Sequence, residues 1–396
     1  MKRGTAVLLL SVVPAAFAPV AISAQDLTLS GQLRPRFEFV DPAVDGSSES
    51  FTTMRSRVSL QAAMEHGLTV FMQLQDVRTW GSETSTVDFS ADGFDLHQGY
   101  LRLTPDGARW LTATAGRMEL DLGGQRLVGA IDWRQQAQSF DGLTLDLVNE
   151  RMTWTTLALT INDGTAPGVP NDRGLYGAYG TVHEIGSGAL DAFWLYDRGR
   201  GAATTNEHFF GGRFVFEGAI SARAEATIST GTRADADVTA YMFGIRAGTD
   251  LDDGRIGLTL WYDYLSADDP STPEVEVFNT LFATNHKFYG FADLFLNIPE
   301  NTGGAGLQDA AVKLLLRATD RTNAGLDLHS FWAGGGAGLT SSHYGEEIDL
   351  TLNHRYSANL LVTGGMSYVM QRDGLSEIGR LDENLTTFYV MVNATF

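Results

Sequence analysis

The chain contains no cysteine and almost no lysine. Without cysteine, no disulfide network can hold the fold together. Lysine occurs only at Lys2, Lys287 and Lys313, and all other members of the Lys/Arg set are arginines, whose planar donor fork suits paired recognition of carboxylates. Acidic residues outnumber basic ones by 48 to 28, and the net charge of -20 argues against nucleic acid as a partner.

Long apolar runs are also missing, with one exception at the N-terminus. After the basic residues at 2–3, a mostly apolar run over 6–22 and the small residues Ser23 and Ala24 predict a secretory signal peptide at residues 1–24. Cleavage is expected after Ala24, with Ala18 as the alternative. Beyond residue 24, no apolar run approaches the roughly 18 residues of a membrane-spanning helix. Since no linker divides the rest, residues 25–396 are predicted to form a single domain.

What the chain does have is alternation of apolar and polar residues. From Leu27 to Phe39 every odd position is apolar or small and every even position is polar, including Arg34 and Arg36. Successive side chains of a β-strand point to opposite faces, so this segment is a strand with one apolar and one charged face. Similar short segments continue to the last residue, which predicts an all-β protein.

Segments of about ten alternating residues, separated by turns, are typical of a transmembrane antiparallel β-barrel. A soluble propeller or sandwich is the alternative. Three features favour the barrel in the outer membrane of a Gram-negative bacterium. The last segment, Thr386–Phe396, ends on an aromatic residue of the kind that the barrel-assembly machinery recognises, and short periplasmic turns alternate with long extracellular loops. Tryptophans also lie near segment ends, where aromatic girdles meet the membrane interfaces (Trp80, Trp110, Trp154, Trp332).

The strand count follows from topology. With both ends on the periplasmic side the number must be even, and 18 strands result if Ser266–Gly306, including Phe288–Phe295, is one long extracellular loop; 16 is the alternative. The first strand should pair with Thr386–Phe396 to close the ring, with a missing hydrogen bond or a bulge at Pro35. Strand starts are predicted near 27, 52, 68, 95, 111, 139, 151, 174, 187, 207, 219, 237, 255, 307, 325, 344, 358 and 384.

A barrel of this size encloses a water-filled channel, so the polar faces should line it. Rings of arginine make pores selective for anions, although structural ion pairs in the wall are the alternative for any single arginine. In the first two strands, four arginines face only Glu38 and Glu65, which predicts a local positive surplus. The arginines assigned to the substrate pathway are Arg34, Arg36, Arg55, Arg57, Arg102, Arg117, Arg223, Arg246, Arg317 and Arg355.

Two stretches resemble a known family. The motifs Gly116–Glu119, Arg126–Gly129, Trp133 and Ser139–Gly142, followed by Phe278–Phe295, resemble the two hallmarks of the alginate-export outer-membrane family. The resemblance spans nearly the whole mature chain and implies an 18-stranded barrel with an arginine-rich lumen through which a polyuronate passes.

The chain departs from that pattern on the periplasmic side. The connection that would carry a closing periplasmic loop is expected to be only about Tyr356–Asn359. Any gating is therefore expected from the extracellular loops around Trp80–Gly93, Leu120–Gln138 and Ser266–Gly306.

Enzyme signatures are missing. No nucleophile elbow, phosphate-binding loop or zinc-protease motif occurs, and His329 and Ser330 fall on opposite faces of a strand, so no catalytic residue, metal or cofactor is expected. The expected function is a channel for an anionic polysaccharide or oligosaccharide; a general or small-anion porin, and an outer-membrane hydrolase, are the alternatives. Expected partners are that saccharide, outer-membrane lipid and lipopolysaccharide, and the assembly machinery through Phe396.

Overall fold

The computed structural model describes residues 26–42, 46–82, 94–164, 171–335 and 338–396. The predicted signal peptide, and residues 83–93 of the predicted loop Trp80–Gly93, lie outside them. The strands are β1 (Asp26–Asp41), β2 (Glu49–Ala63), β3 (Leu68–Thr79), β4 (Phe94–Leu103), β5 (Leu111–Met118), β6 (Phe140–Val148), β7 (Met152–Asn162), β8 (Asp172–Ile185), β9 (Gly188–Arg200), β10 (Thr204–Phe216), β11 (Ser221–Arg233), β12 (Ala236–Leu251), β13 (Ile256–Leu265), β14 (Leu307–Thr319), β15 (Thr322–Trp332), β16 (His343–Ser357), β17 (Leu360–Gln371) and β18 (Leu385–Thr395).

These strands form one closed antiparallel barrel. Each strand pairs with its neighbours in sequence, and β1 pairs with β18 to complete the ring. The count of 18 is confirmed, the alternative of 16 is excluded, and every strand starts within three residues of its predicted position. The expected closure is also found, since Asp41 lies opposite Thr386 and Gln32 opposite Thr395.

Pro35 interrupts this closure without bending it. The β1–β18 register runs through Leu33 and Ala394, skips Arg34 and Pro35, and resumes at Arg36 and Met391 with the same offset. Proline has no backbone N–H to donate, so the predicted gap occurs without a bulge.

The two faces of the wall differ as the alternation predicts. Leu27 and Leu29 are 66% and 64% exposed on the outer surface, whereas Arg34 and Arg36 are only 3% and 6% exposed on the inner side. Outward apolar side chains face lipid in such a barrel. Trp110 and Trp154 lie near the periplasmic end of this apolar surface and Trp80 near the extracellular end, as expected of interface girdles.

The connections differ in length on the two sides. Short turns join the strands at the end that carries both termini, and the turn between β16 and β17 is only residues 358–359. Short helices, α1 (Ile298–Asn301) and α2 (Asp373–Glu377), lie in long connections, and single 3₁₀ turns occur at Glu65–Gly67 and Asn285–Lys287. Within the described residues, no helix is long and apolar enough to cross a bilayer.

Two long connections turn into the barrel. We call residues 119–139, between β5 and β6, the central loop, and residues 266–306, between β13 and β14, the long loop. Their apolar residues join inward residues of the wall in one buried cluster, in which Val128 of the central loop and Phe288 of the long loop are completely buried. Phe288–Phe295 is loop structure, as predicted.

Candidate substrate pathway in the barrel lumen

The central loop is fastened to the arginines of β1 and β2. Arg34 donates from Nε to Oε1 of Gln135 (3.0 Å) and from Nη1 to the carbonyl oxygen of Asp132 (2.8 Å). Arg55 pairs through Nη2 with Oδ1 of Asp132 (2.8 Å), and Arg36 donates to the carbonyl oxygen of Trp133 (2.7 Å). We call Arg34, Arg36, Arg55 and Arg57 the arginine clamp, because their donors hold a loop.

More carboxylates lie beside the arginine clamp than the sequence indicated. Arg57 pairs with Glu119 of the central loop (3.1 Å), and Arg36 with Glu38 (3.0 Å). Burial alone would raise the pKa of Glu119, but its hydrogen bond to His97 and the charge of Arg57 lower it. Glu65 lies exposed in the 3₁₀ turn instead. Three carboxylates, Glu38, Glu119 and Asp132, therefore offset most of the predicted positive surplus.

The two inward loops are joined through their backbones. The amide of Gly129 donates to the carbonyl oxygen of Phe282 (3.0 Å), and the amide of Phe282 donates to the carbonyl oxygen of Leu127 (2.8 Å). A short parallel β-bridge therefore links the two family-like motifs. Trp133 adds a side-chain contact, because its indole stacks on His286 at 4.0 Å and donates to Oδ2 of Asp293 (3.0 Å). The two hallmark stretches are therefore one packed unit inside the barrel.

The long loop rests on carboxylates of β16. The amide of Ala292 donates to Oε1 of Glu347 (2.7 Å), and the amide of Phe291 to Oδ2 of Asp349 (3.3 Å). Gly290, at φ +83°, packs so closely on Glu347 that an added Cβ would lie 2.4 Å from Oε2. Among the described residues, no group of three or more His, Asp or Glu side chains is placed to hold a metal ion. These carboxylates serve as docking points for backbone amides.

Arg126 connects the central loop to both the long loop and the wall. It donates to the hydroxyl of Tyr289 (2.7 Å), pairs with Asp263 of β13, and lies 3.9 Å from the ring centre of Phe288. Although full burial opposes its charge, Asp263 and its other neighbours raise the pKa of Arg126. The guanidinium is thus a permanently charged structural bridge, and sequence assigned it no such role.

A second group of cations lies where the long loop approaches β11 and β12, since the guanidinium of Arg246 is 5.3 Å from the ring centre of Phe288. Lys287 is the one exposed residue of Phe278–Phe295, and its Nζ donates to Oε1 of Gln125 (2.8 Å). Desolvation of its ammonium group and the charges of Arg223 and Arg246 lower the pKa of Lys287 to about 8, against the opposing charge of Asp121. We call Arg223, Arg246 and Lys287 the lumen cations; among them Arg223 pairs with Glu225 (2.6 Å), while Arg246 lies over the ring of Trp261 (3.0 Å).

Three predicted arginines lie near the periplasmic mouth. Arg102, Arg317 and Arg355 are exposed at the lower ends of β4, β14 and β16. Arg317 pairs with Asp250 (2.9 Å), and Arg102 donates to Thr114 (3.3 Å). A cavity of about 680 Å³ opens here and is lined by Phe291, Lys313, Arg317 and Asp327 among others. This cavity is the periplasmic vestibule of the lumen.

Arg117 lies at the extracellular end of β5. Its backbone position falls on the face of Ala113 and Ala115, opposite the buried Thr114 and Met118, and its guanidinium pairs with Asp141 at 3.1 Å. The same guanidinium donates to Oγ of Ser139 (3.1 Å) and lines a cavity of about 400 Å³ together with residues of β3, β4 and the central loop. Arg117 therefore lies at the extracellular rim of the barrel.

His329 and Ser330 form no catalytic pair. His329 is buried against Asp309, with Nδ1 2.9 Å from Oδ1, while Ser330 occupies the opposite face of β15. The positions to which the sequence assigned no individual role include Arg126, Asp132, Gln135 and Lys287. Arg126 and Lys287 carried a signal, because each lies in a family-like motif and Lys287 is one of the two lysines beyond residue 24.

Comparison with known proteins agrees with this architecture. Solved structures of similar fold include OccAB4 of Acinetobacter baumannii (TM-score 0.64, 11% identity, covering 96% of this chain and 100% of that chain) and OccK8 (OprE) of Pseudomonas aeruginosa (TM-score 0.65, 12% identity, 94% and 98%). No curated protein is significantly similar in sequence. The sequence profile for alginate export matches residues 25–373. The chain is therefore an outer-membrane β-barrel channel that belongs to the alginate export family.

Proposed function

We propose that the channel passes an anionic polysaccharide or oligosaccharide, such as an alginate-like polyuronate, across the outer membrane of a Gram-negative bacterium. The observation that carries the proposal is the group of lumen cations, in which Lys287 of the long loop lies close enough to Arg223 and Arg246 for their charges to lower its pKa. The lowered pKa of Lys287 reflects desolvation and a local excess of positive charge. A polyuronate carries one carboxylate per sugar and is attracted by such a surface.

The attraction must be shallow at each site, because a polymer that binds tightly would enter and not leave. Lys313, which pairs with Asp327 (2.7 Å), and Arg317, which pairs with Asp250, line the vestibule with partly neutralised charge. Phe291 adds an aromatic surface in the same cavity. A series of weak charged contacts leading from the lumen cations to the vestibule suits passage.

The proposed partners follow from this setting. Besides the saccharide, they are outer-membrane lipid, lipopolysaccharide and the barrel-assembly machinery. The last is proposed to contact Phe396, a residue that is 70% exposed and whose backbone pairs with Gly31. Gly31 leaves the space that the ring occupies, because an added Cβ would lie 2.3 Å from Cζ of Phe396.

Planar-bilayer recordings test the substrate proposal. Purified protein should prefer anions, and mannuronate oligomers should block its current at concentrations where neutral oligosaccharides of equal length do not. Lys287→Gln combined with Arg246→Gln should weaken both effects. Arg321→Gln, in an exposed periplasmic turn, is the control that removes charge outside the lumen. Equal block by charged and neutral oligomers contradicts the proposal.

A general or small-anion porin is the second candidate. Two packed loops occupy part of the lumen, which favours small solutes over polymers. Liposome swelling rates that depend only on solute size, with no block by mannuronate oligomers, would support this alternative. The proposal includes no catalytic step, so lipase and polysaccharide-lyase assays in detergent should show no turnover.

A further inference from the structure

A small pocket lies on the outer surface of the barrel, separate from the lumen. It measures about 250 Å³ and is lined at the extracellular ends of β7, β8 and β9 by Thr160, Asn162, Tyr176, Arg198 and Arg200 among others. Leu159, Leu175 and Leu195 are buried inside the barrel at 0–1% exposure, so the residues that alternate with them point outward. The pocket therefore opens toward the membrane.

Aromatic side chains place this pocket at the membrane interface. Tyr196 stacks on His208 at 4.4 Å and lies 6.1 Å from Tyr176, and Trp194 is exposed beside them. Aromatic girdles of barrels lie at the level of the lipid headgroups. Arg198 follows Tyr196 by two residues, about 7 Å farther along the strand toward the extracellular side. Its guanidinium is thus level with the outer-leaflet headgroups.

The two outward arginines have free donors. Within the described part of the chain, neither Arg198 nor Arg200 has a carboxylate oxygen within 4.0 Å. Arg173, which also lines the pocket, differs because both of its donors reach Asp197, at 2.9 and 2.7 Å.

Two carboxylates, Asp163 and Asp172, also line the pocket. Asp172 lies opposite Arg200 in the β8–β9 register, and its Oδ1 accepts a hydrogen bond from the amide of Gly164 (3.1 Å). Neither carboxylate lies within 4.0 Å of a guanidinium nitrogen of Arg198 or Arg200, so the donor forks of both arginines are left for an external anion.

We propose that Arg198 and Arg200 bind the phosphate group of a phosphorylated glycolipid in the outer leaflet. Two guanidinium groups on one face of a strand present paired donors that match phosphate oxygens. The occupant is a lipid rather than a free anion, because the pocket opens onto the membrane-facing wall and the girdle below it supplies an apolar surface for acyl chains. This site is independent of the substrate proposed for the lumen.

Native mass spectrometry of the full protein tests the site. The protein is released from detergent containing either bisphosphorylated lipid A or the same lipid after enzymatic dephosphorylation. Wild type should retain the phosphorylated lipid preferentially, and Arg198→Gln with Arg200→Gln should reduce that retention by about tenfold or more. Arg109→Gln with Arg321→Gln, which removes two exposed charges at periplasmic turns, should retain the lipid as wild type does.

Other outcomes are decisive as well. Equal retention of the two lipids by wild type, or unchanged retention by the Gln variant, overturns the proposal. Displacement of lipid A by millimolar inorganic phosphate would show a free-anion site and also overturn it. If the Gln variant does not fold, Arg198→Lys with Arg200→Lys keeps the charge but loses the donor fork, and should show intermediate retention; retention equal to wild type would contradict the assigned role.

Discussion

The two inward loops are held by opposite charges. The central loop docks on arginines of β1 and β2, which donate to its carboxylate and carbonyl oxygens; the long loop docks on carboxylates of β16, which accept from its amides. On both sides of the barrel, buried charged side chains therefore form the hydrogen bonds that the backbone groups of these loops cannot form within the sheet. Charged residues of the lumen face are consequently of two kinds, those that hold loops and those that remain available to a solute.

Loss of the contact between the long loop and the carboxylates of β16 should have the largest effect on stability. Gly290→Ala adds a Cβ against Glu347 at a positive φ, so we expect the long loop to undock and the free energy of unfolding to fall by about 2–4 kcal/mol. Urea unfolding of the detergent-folded protein, followed by tryptophan fluorescence, measures this. Gly303→Ala, at φ +56° with no atom closer than 3.9 Å, isolates the backbone strain. An equal loss in both variants would rule out docking on Glu347.

Loss of a contact between the central loop and the arginine clamp should have a smaller effect on stability. Arg55→Met removes the ion pair to Asp132 and is expected to cost about 1–3 kcal/mol, less than a fully buried pair because the Asp132 side chain is 62% exposed. The loosened central loop should then be cut by trypsin after the exposed Arg134. Arg321→Met, which removes an exposed charge in a periplasmic turn, is the control, and similar cleavage of both variants would contradict the clamp.

The lumen cations should affect selectivity and leave stability nearly unchanged. Lys287 is protonated below its pKa of about 8 and neutral above it, so anion preference should fall as pH rises from 7 to 9. Lys287→Arg should keep the preference at both pH values, and Lys287→Gln should show the lower preference throughout. Reversal potentials in salt gradients give the measurement. A midpoint near pH 8 that persists in Lys287→Gln would assign the titration to another group.

The smallest effect is expected at the periplasmic mouth. Arg355 is exposed, so Arg355→Gln should change the anion permeability ratio by less than about twofold and only at low salt, where screening is weak. Conductance recorded at low and high salt measures the change. A change as large as that of Arg246→Gln would place a main selectivity element at the mouth.

Arg34 and Arg36 have a different role from the one that the sequence indicates. Alternation predicts that Arg34→Gln with Arg36→Gln leaves folding intact and lowers anion preference. In the structure both guanidinium groups donate to the central loop, so the double variant should mainly loosen that loop. The residues were placed on the correct face, but a strand pattern does not show what fills the space in front of that face.

The barrel itself was largely determined by the sequence. A period of two in Leu27–Phe39 and its repeats fixes which side chains face lipid, and an even strand count with long connections on one side fixes the topology, because each lipid-facing strand must pair with two neighbours. The short turn at 358–359 and the closing pair of β1 with β18 followed from the same constraints.

Only the tertiary structure decided how the lumen is used. Asp132 meets Arg55, Trp133 meets His286, and Ala292 meets Glu347 across sequence separations of 77, 153 and 55 residues. No local periodicity encodes such contacts, since irregular loops have none. The same residue type is therefore a structural clamp at Arg55 and a lumen cation at Arg246, depending on which loop folds against it.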